Sequence, residues 1–89
     1  MVTLDFSDRH VLIVEDDIFI ALDLERVLDD AGCGVVGPAA SVELALAKIS
    51  VTKLDAALLD VNLGQELVFP VADRLSAEGI PFIFVTGEP

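Results

Sequence analysis

His10-Val11-Leu12-Ile13-Val14-Glu15-Asp16-Asp17 is a short apolar run that stops on three acids. Four consecutive aliphatic residues, with no polar alternation, suit a strand buried on both faces. Two later runs repeat the arrangement: Ala56-Ala57-Leu58-Leu59 stops on Asp60, and a strand predicted over Pro81–Val85, with Phe82, Ile83, Phe84 and Val85 unbroken, stops on Thr86. A further strand is predicted at Cys33–Val36, where Gly37 and Pro38 break it.

Helical spacing fills the gaps between these runs. From Asp17 to Ala31 the apolar positions Ile20, Leu24, Val27, Leu28 and Ala31 share one side, Asp23, Arg26 and Asp30 another, and Gly32 supplies the residue just past the helix end. Ser41 is a good N-cap for a second helix that runs to about Ser50, with Glu43 in its first turn. Pro70 suits the first turn of a third helix, which carries Val71, Ala72 and Leu75 inward and ends at Gly79. Strands alternating with helices, each strand apolar throughout, predict an α/β fold: a parallel sheet with helices on both faces. At 89 residues the sequence is expected to form one domain, 1–89, a length that leaves no room within it for a separate output or catalytic module.

Net charge is −11, from 16 acids against 5 lysines and arginines, so direct contact with nucleic acid is disfavoured. No apolar stretch is long enough to span a bilayer, and Asp5 and Asp8 fall where the apolar core of a secretory signal would be. The cytoplasm is the expected location. The single cysteine, Cys33, leaves no intrachain disulfide.

In open parallel sheets ligands bind at the carboxyl ends of the strands. That rule gathers Glu15, Asp16, Asp17, Asp60 and Thr86. Carboxylates crowded together repel one another, and a divalent cation bound through oxygen offsets the repulsion. Magnesium fits, with Asp16 and Asp60 as carboxylate ligands and the Asn62 carbonyl as a third. A carboxylate beside such an ion can also attack phosphorus and form an acyl phosphate; Asp60, ending the expected central strand, is best placed, and the Thr86 hydroxyl could bond a phosphoryl oxygen. Asp17 reads as a cap of the first helix, and His10 as a strand-start histidine with no part in the chemistry.

The three motifs together, Val11-Leu12-Ile13-Val14-Glu15-Asp16-Asp17, Leu58-Leu59-Asp60-Val61-Asn62-Leu63 and Phe84-Val85-Thr86-Gly87, resemble those of response-regulator receiver domains. The resemblance implies a flavodoxin-like sheet of order 2-1-3-4. It also implies Asp60 as phosphoacceptor, Glu15 and Asp16 as the acidic pair serving magnesium, Thr86 as the switch hydroxyl, and a histidine kinase or phosphotransfer protein as donor. A receiver of this kind is a signalling phosphoacceptor and not an enzyme in its own right.

Two departures from the family pattern stand out. The chain stops at Pro89 before a fifth strand with its helix and its lysine-proline pair, so the domain is read as incomplete at its C-terminal end. The segment from Gly64 to Pro70 is unusually compact, as in a subgroup of small stand-alone receivers. With the fourth strand left as an apolar edge, a homodimer through it is expected as one outcome. Three rival readings remain. A flavin-binding module is disfavoured because an acid-lined crevice repels a bare anion. An aspartate-nucleophile phosphatase is disfavoured because Asn62 stands where that pattern wants a second acid. A degenerate receiver that only binds partners is favoured by the missing lysine.

Overall fold

The structure is a computed structural model and describes residues 8–85. Its elements in chain order are β1 (His10–Val14), α1 (Ile18–Asp30), β2 (Gly34–Ala39), α2 (Val42–Val51), β3 (Ala56–Leu59), β4 (Asn62–Leu63), β5 (Glu66–Leu67), α3 (Phe69–Ala77) and β6 (Phe82–Phe84). Four strands make a parallel sheet in the order β2-β1-β3-β6, which is the 2-1-3-4 order expected from sequence. The domain is therefore a parallel α/β sheet of flavodoxin-like order.

Alternation along β1 decides which helices it meets. Leu12 and Val14 point into the main core with Leu59 and Ala57 of β3, Ala45 and Ile49 of α2, and Val71, Ala72 and Leu75 of α3. Val11 and Ile13, also buried, lie outside that cluster on the side where α1 crosses β1 and β2. β1 is thus enclosed from both faces and flanked by strands on both edges. Among the described residues no helix is long and apolar enough to cross a membrane.

The caps follow the sequence. Asp17 accepts from the Phe19 and Ile20 amides at the start of α1, and Ser41 Oγ accepts from the Leu44 amide at the start of α2. Gly32 and Gly79 adopt positive φ just after α1 and α3. In α1, Ala21 is fully buried and Leu24 and Leu28 half-buried, so this line faces the sheet, whereas Val27 falls on its flank and is 64% exposed. Val27 therefore does not share the sheet-facing side with Leu24 and Leu28, contrary to what the helical spacing predicts.

β2 also differs from expectation, for it continues through Gly37 and Pro38 to Ala39. The pairing runs Leu12 with Val36 and then Val14 with Ala39, so one extra residue of β2 is absorbed as a bulge and the strand is not ended. Glycine is what lets it pass. Gly37 has φ +95°, and a Cβ there would stand 2.8 Å from both the Ile13 carbonyl oxygen and the Ala39 nitrogen.

The second unforeseen feature is a two-stranded antiparallel hairpin after β3, joining Asn62 to Leu67 and Leu63 to Glu66. Its loop is Gly64-Gln65, with φ +65° at Gly64 and no positive φ at Gln65, the pattern of a type II′ turn. Leu63 and Val68 are buried and anchor it to the core.

Candidate functional site

β1 and β3 lie side by side in parallel, with Val14 opposite Leu59. The residues that follow each strand must therefore emerge at the same edge: Glu15 and Asp16 from one, Asp60 from the other. Backbone hydrogen bonds hold both exits, since the Glu15 N–H donates to the Ala39 carbonyl at 3.0 Å and the Asp60 N–H to the Val14 carbonyl at 2.9 Å. Carboxylate oxygens of Glu15, Asp16 and Asp60 all lie within 4.8 Å of one another. The convergence expected from sequence is present for these three.

The three acids differ in environment. Asp16 is exposed, Asp60 half-buried, and Glu15 only 3% exposed. Glu15 Oε1 accepts from the Asp17 N–H at 3.0 Å, while Oε2 is buried with no hydrogen-bond partner. Burial pushes the Glu15 carboxyl up from 4.5 to about 7; the Asp17 N–H opposes this, while a hydrogen bond from the protonated carboxyl to the Asp60 side chain, and then the Asp60 and Asp16 charges, add to it. A buried carboxylate oxygen without a donor is an expensive thing to keep. Three oxygen donors of like charge within 4.8 Å, one of them orphaned, fit a hard divalent cation, which would satisfy that oxygen and remove the repulsion.

The hairpin supplies the rest of the rim. The Val68 N–H donates to the Val61 carbonyl at 3.0 Å, so residues 61 and 68 are a hydrogen-bonded pair. By antiparallel alternation the next pair, Asn62 and Leu67, is not, and the Asn62 N–H and C=O both turn to the outside of the hairpin. Its N–H donates to Asp60 Oδ1 at 3.4 Å, which places the outward edge toward the acids. The Asn62 carbonyl is accordingly available as an oxygen ligand. Gly64 comes close as well: a Cβ there would lie 3.6 Å from Asp16 Oδ2.

Asp17 caps α1, and His10 starts β1 with its N–H donating to Asp55 Oδ2 at 2.8 Å, so neither belongs to the pocket. Thr86 lies outside the described residues.

A family model, the response regulator receiver domain, matches residues 11–89. The chain belongs to the response-regulator receiver family. This receiver is 34% identical over 83 residues to the phyllosphere-induced regulator PhyR of Methylorubrum extorquens, a match covering 90% of this chain and 31% of that protein. The chain thus spans about a third of the length of that curated relative. Among solved structures it is similar to SdrG from Pseudomonas melonis in its BeF3-activated conformation, with 42% identity, TM-score 0.76, and 98% of this chain and 73% of that one covered. It is also similar to the anti-anti-sigma factor PhyR from Bartonella quintana, with 31% identity, TM-score 0.76, and coverage of 84% and 31%.

The hairpin and its Glu66 were not foreseen as part of this receiver's site. The pattern Leu63-Gly64-Gln65-Glu66, a glycine-led pair between short runs, is a hairpin signal. The two-residue strands beside it are too short for periodicity to show.

Proposed function

We propose that this receiver domain accepts a phosphoryl group on Asp60 in a magnesium-dependent reaction. The observation that carries the reading is the buried, partnerless Glu15 Oε2 beside two further carboxylates at the ends of adjacent strands. When bound, magnesium supplies positive charge that neutralises the phosphoryl oxygens.

The chain's own residues do the rest. Glu15, Asp16, Asp60 and the Asn62 carbonyl would hold the ion. The Asn62 N–H occupies Asp60 Oδ1, which orients the carboxylate and leaves Oδ2 as the attacking oxygen. In the transfer an Asp60 oxygen bonds to phosphorus as the bond from phosphorus to the donor nitrogen breaks, and the leaving imidazole takes up a proton. Thr86 is assigned to a phosphoryl oxygen. The donor is a cytoplasmic histidine kinase or phosphotransfer protein, and the domain serves as a signalling phosphoacceptor without being a multiple-turnover enzyme. In a longer protein such as PhyR this chemistry would govern a protein partner.

Intact-mass measurement with magnesium and acetyl phosphate tests the reading. Wild type should gain one phosphoryl group and Asp60→Asn none. A gain in neither would leave the second reading, a receiver that acts by binding partners without phosphorylation. That reading draws on β6, which among the described residues is the last strand of the sheet, with Ile83 61% and Phe84 45% exposed, and which could pair with a second copy of the chain. Sedimentation of wild type at rising concentration would then show a dimer.

A further inference from the structure

The acidic pocket has a third wall that no motif announces. On one side the hairpin touches the pocket, through Asn62 at Asp60 and Gly64 beside Asp16. On its other side it reaches α2. Glu66 Oε2 accepts from the Val42 N–H at 3.3 Å, 24 residues away in the chain, next to the Ser41 cap on the Leu44 N–H at 3.2 Å. A helix leaves its first N–H groups open, and here one is filled by its own cap and another by the hairpin. The start of α2 is in turn joined to the pocket, because the Ala39 carbonyl, shortly before it, accepts from the Glu15 N–H.

This ring of contacts matters because each hairpin strand is only two residues long, and so short a hairpin is marginal without support. Leu63 and Val68 hold one side of it. Glu66 and Leu67 are both exposed, and the Glu66 bond is the only side-chain hydrogen bond made by β5 among the described residues. Its carboxylate also sits where the helix dipole favours negative charge. Resting on the reading of the Asp60 site given above, we infer that Glu66 is a positioning residue. By tethering the hairpin to α2 it holds the Asn62 backbone, with its outward carbonyl, in place against Asp16 and Asp60.

The test compares Glu66→Ala with Glu66→Gln in the full chain. Glutamine keeps an oxygen acceptor and drops the charge, while alanine drops both. In the metal-free protein, amide hydrogen exchange across residues 62–68 and at Val42 should rise about fivefold in the alanine variant, the scale of a lost cap, and stay near wild type in the glutamine variant. Magnesium titration followed by the amide shifts of Glu15, Asp16 and Asp60 should show the same order, with affinity weakened several-fold by alanine alone. Equal weakening by both variants would mean that loss of a negative charge near a cation explains the effect. Unchanged exchange in the alanine variant would mean that the hairpin holds itself. Either result overturns the inference. Should wild type take up no magnesium, the metal reading fails by itself, and the exchange measurement still decides whether Glu66 holds the hairpin.

Discussion

Replacing Glu15 by glutamine should make the metal-free protein more stable while disabling the pocket for a cation. The carboxyl is 3% exposed, one of its oxygens has no partner, and two more carboxylates lie within 4.8 Å. Burial first, then a hydrogen bond from the protonated group to Asp60 and the two neighbouring charges, hold its proton to about 7 in place of 4.5. At ~1.4 kcal/mol per tenfold in proton affinity, that interval is worth ~3 kcal/mol. The unfolded chain releases this proton near 4.5 and the folded chain near 7, so the group's contribution to stability falls as pH rises across the interval and is level above it. Asp16 is exposed and Asp60 half-buried, and solvent screens part of their effect. Glutamine, which stays neutral, should therefore recover about 1–3 kcal/mol at about pH 8 and under about 1 kcal/mol at about pH 5. Magnesium closes that gap at about pH 8 and reverses the order at about pH 5, because wild type gains ~2.7 kcal/mol at a hundredfold excess of ion over Kd, and the variant gains little. Urea unfolding at both pH values, with and without magnesium chloride, measures all four quantities. A variant less stable than wild type at the higher pH without metal, or one that keeps the full magnesium response, would refute the reasoning.

Two further outcomes follow from other parts of the fold. Gly37→Ala should destabilise by at least about 2 kcal/mol, because φ +95° is strained for any side chain and the new Cβ would stand 2.8 Å from two backbone atoms; a urea midpoint equal to wild type would contradict the bulge in β2. Asp55 accepts from the His10 N–H and pairs with Arg9, and these hold its carboxyl below the ordinary 3.8. Its contribution is present above that value and is lost as pH falls through the depressed one, so Asp55→Asn should lower stability at neutral pH and flatten the acid limb of thermal unfolding.

The elements that sequence foretold are those whose signal is local. An aliphatic run ended by acids marks β1 and β3, and capping side chains two or three residues from the amides they serve mark α1 and α2. The convergence of Glu15, Asp16 and Asp60 was legible because parallel neighbours that begin in register must end together. What escaped depends on groups distant in the chain. β2 crosses Gly37 and Pro38 only because β1 lets an extra residue bulge. Val27 is exposed because Ala21, a small residue that reads weakly as hydrophobic, sets the buried line of α1. Glu66 reads as one more surface acid until α2 is placed beside it.

β1 is central in space yet precedes both its neighbours in the chain, and this has a consequence for biosynthesis. Leu12 cannot meet Ala57 until β3 has left the ribosome, 45 residues later. At typical elongation rates of about 5–20 residues per second, the Val11–Val14 segment waits roughly 2–9 seconds before that pairing can form. A bare aliphatic quartet is the kind of segment that aggregates when left waiting. Glu15, Asp16 and Asp17 adjoin it directly, the flanking charge that guards such a segment against association. Two of these carboxylates, Glu15 and Asp16, converge with Asp60 in the finished domain, so the residues that line the pocket also stand where a gatekeeper of β1 would be placed.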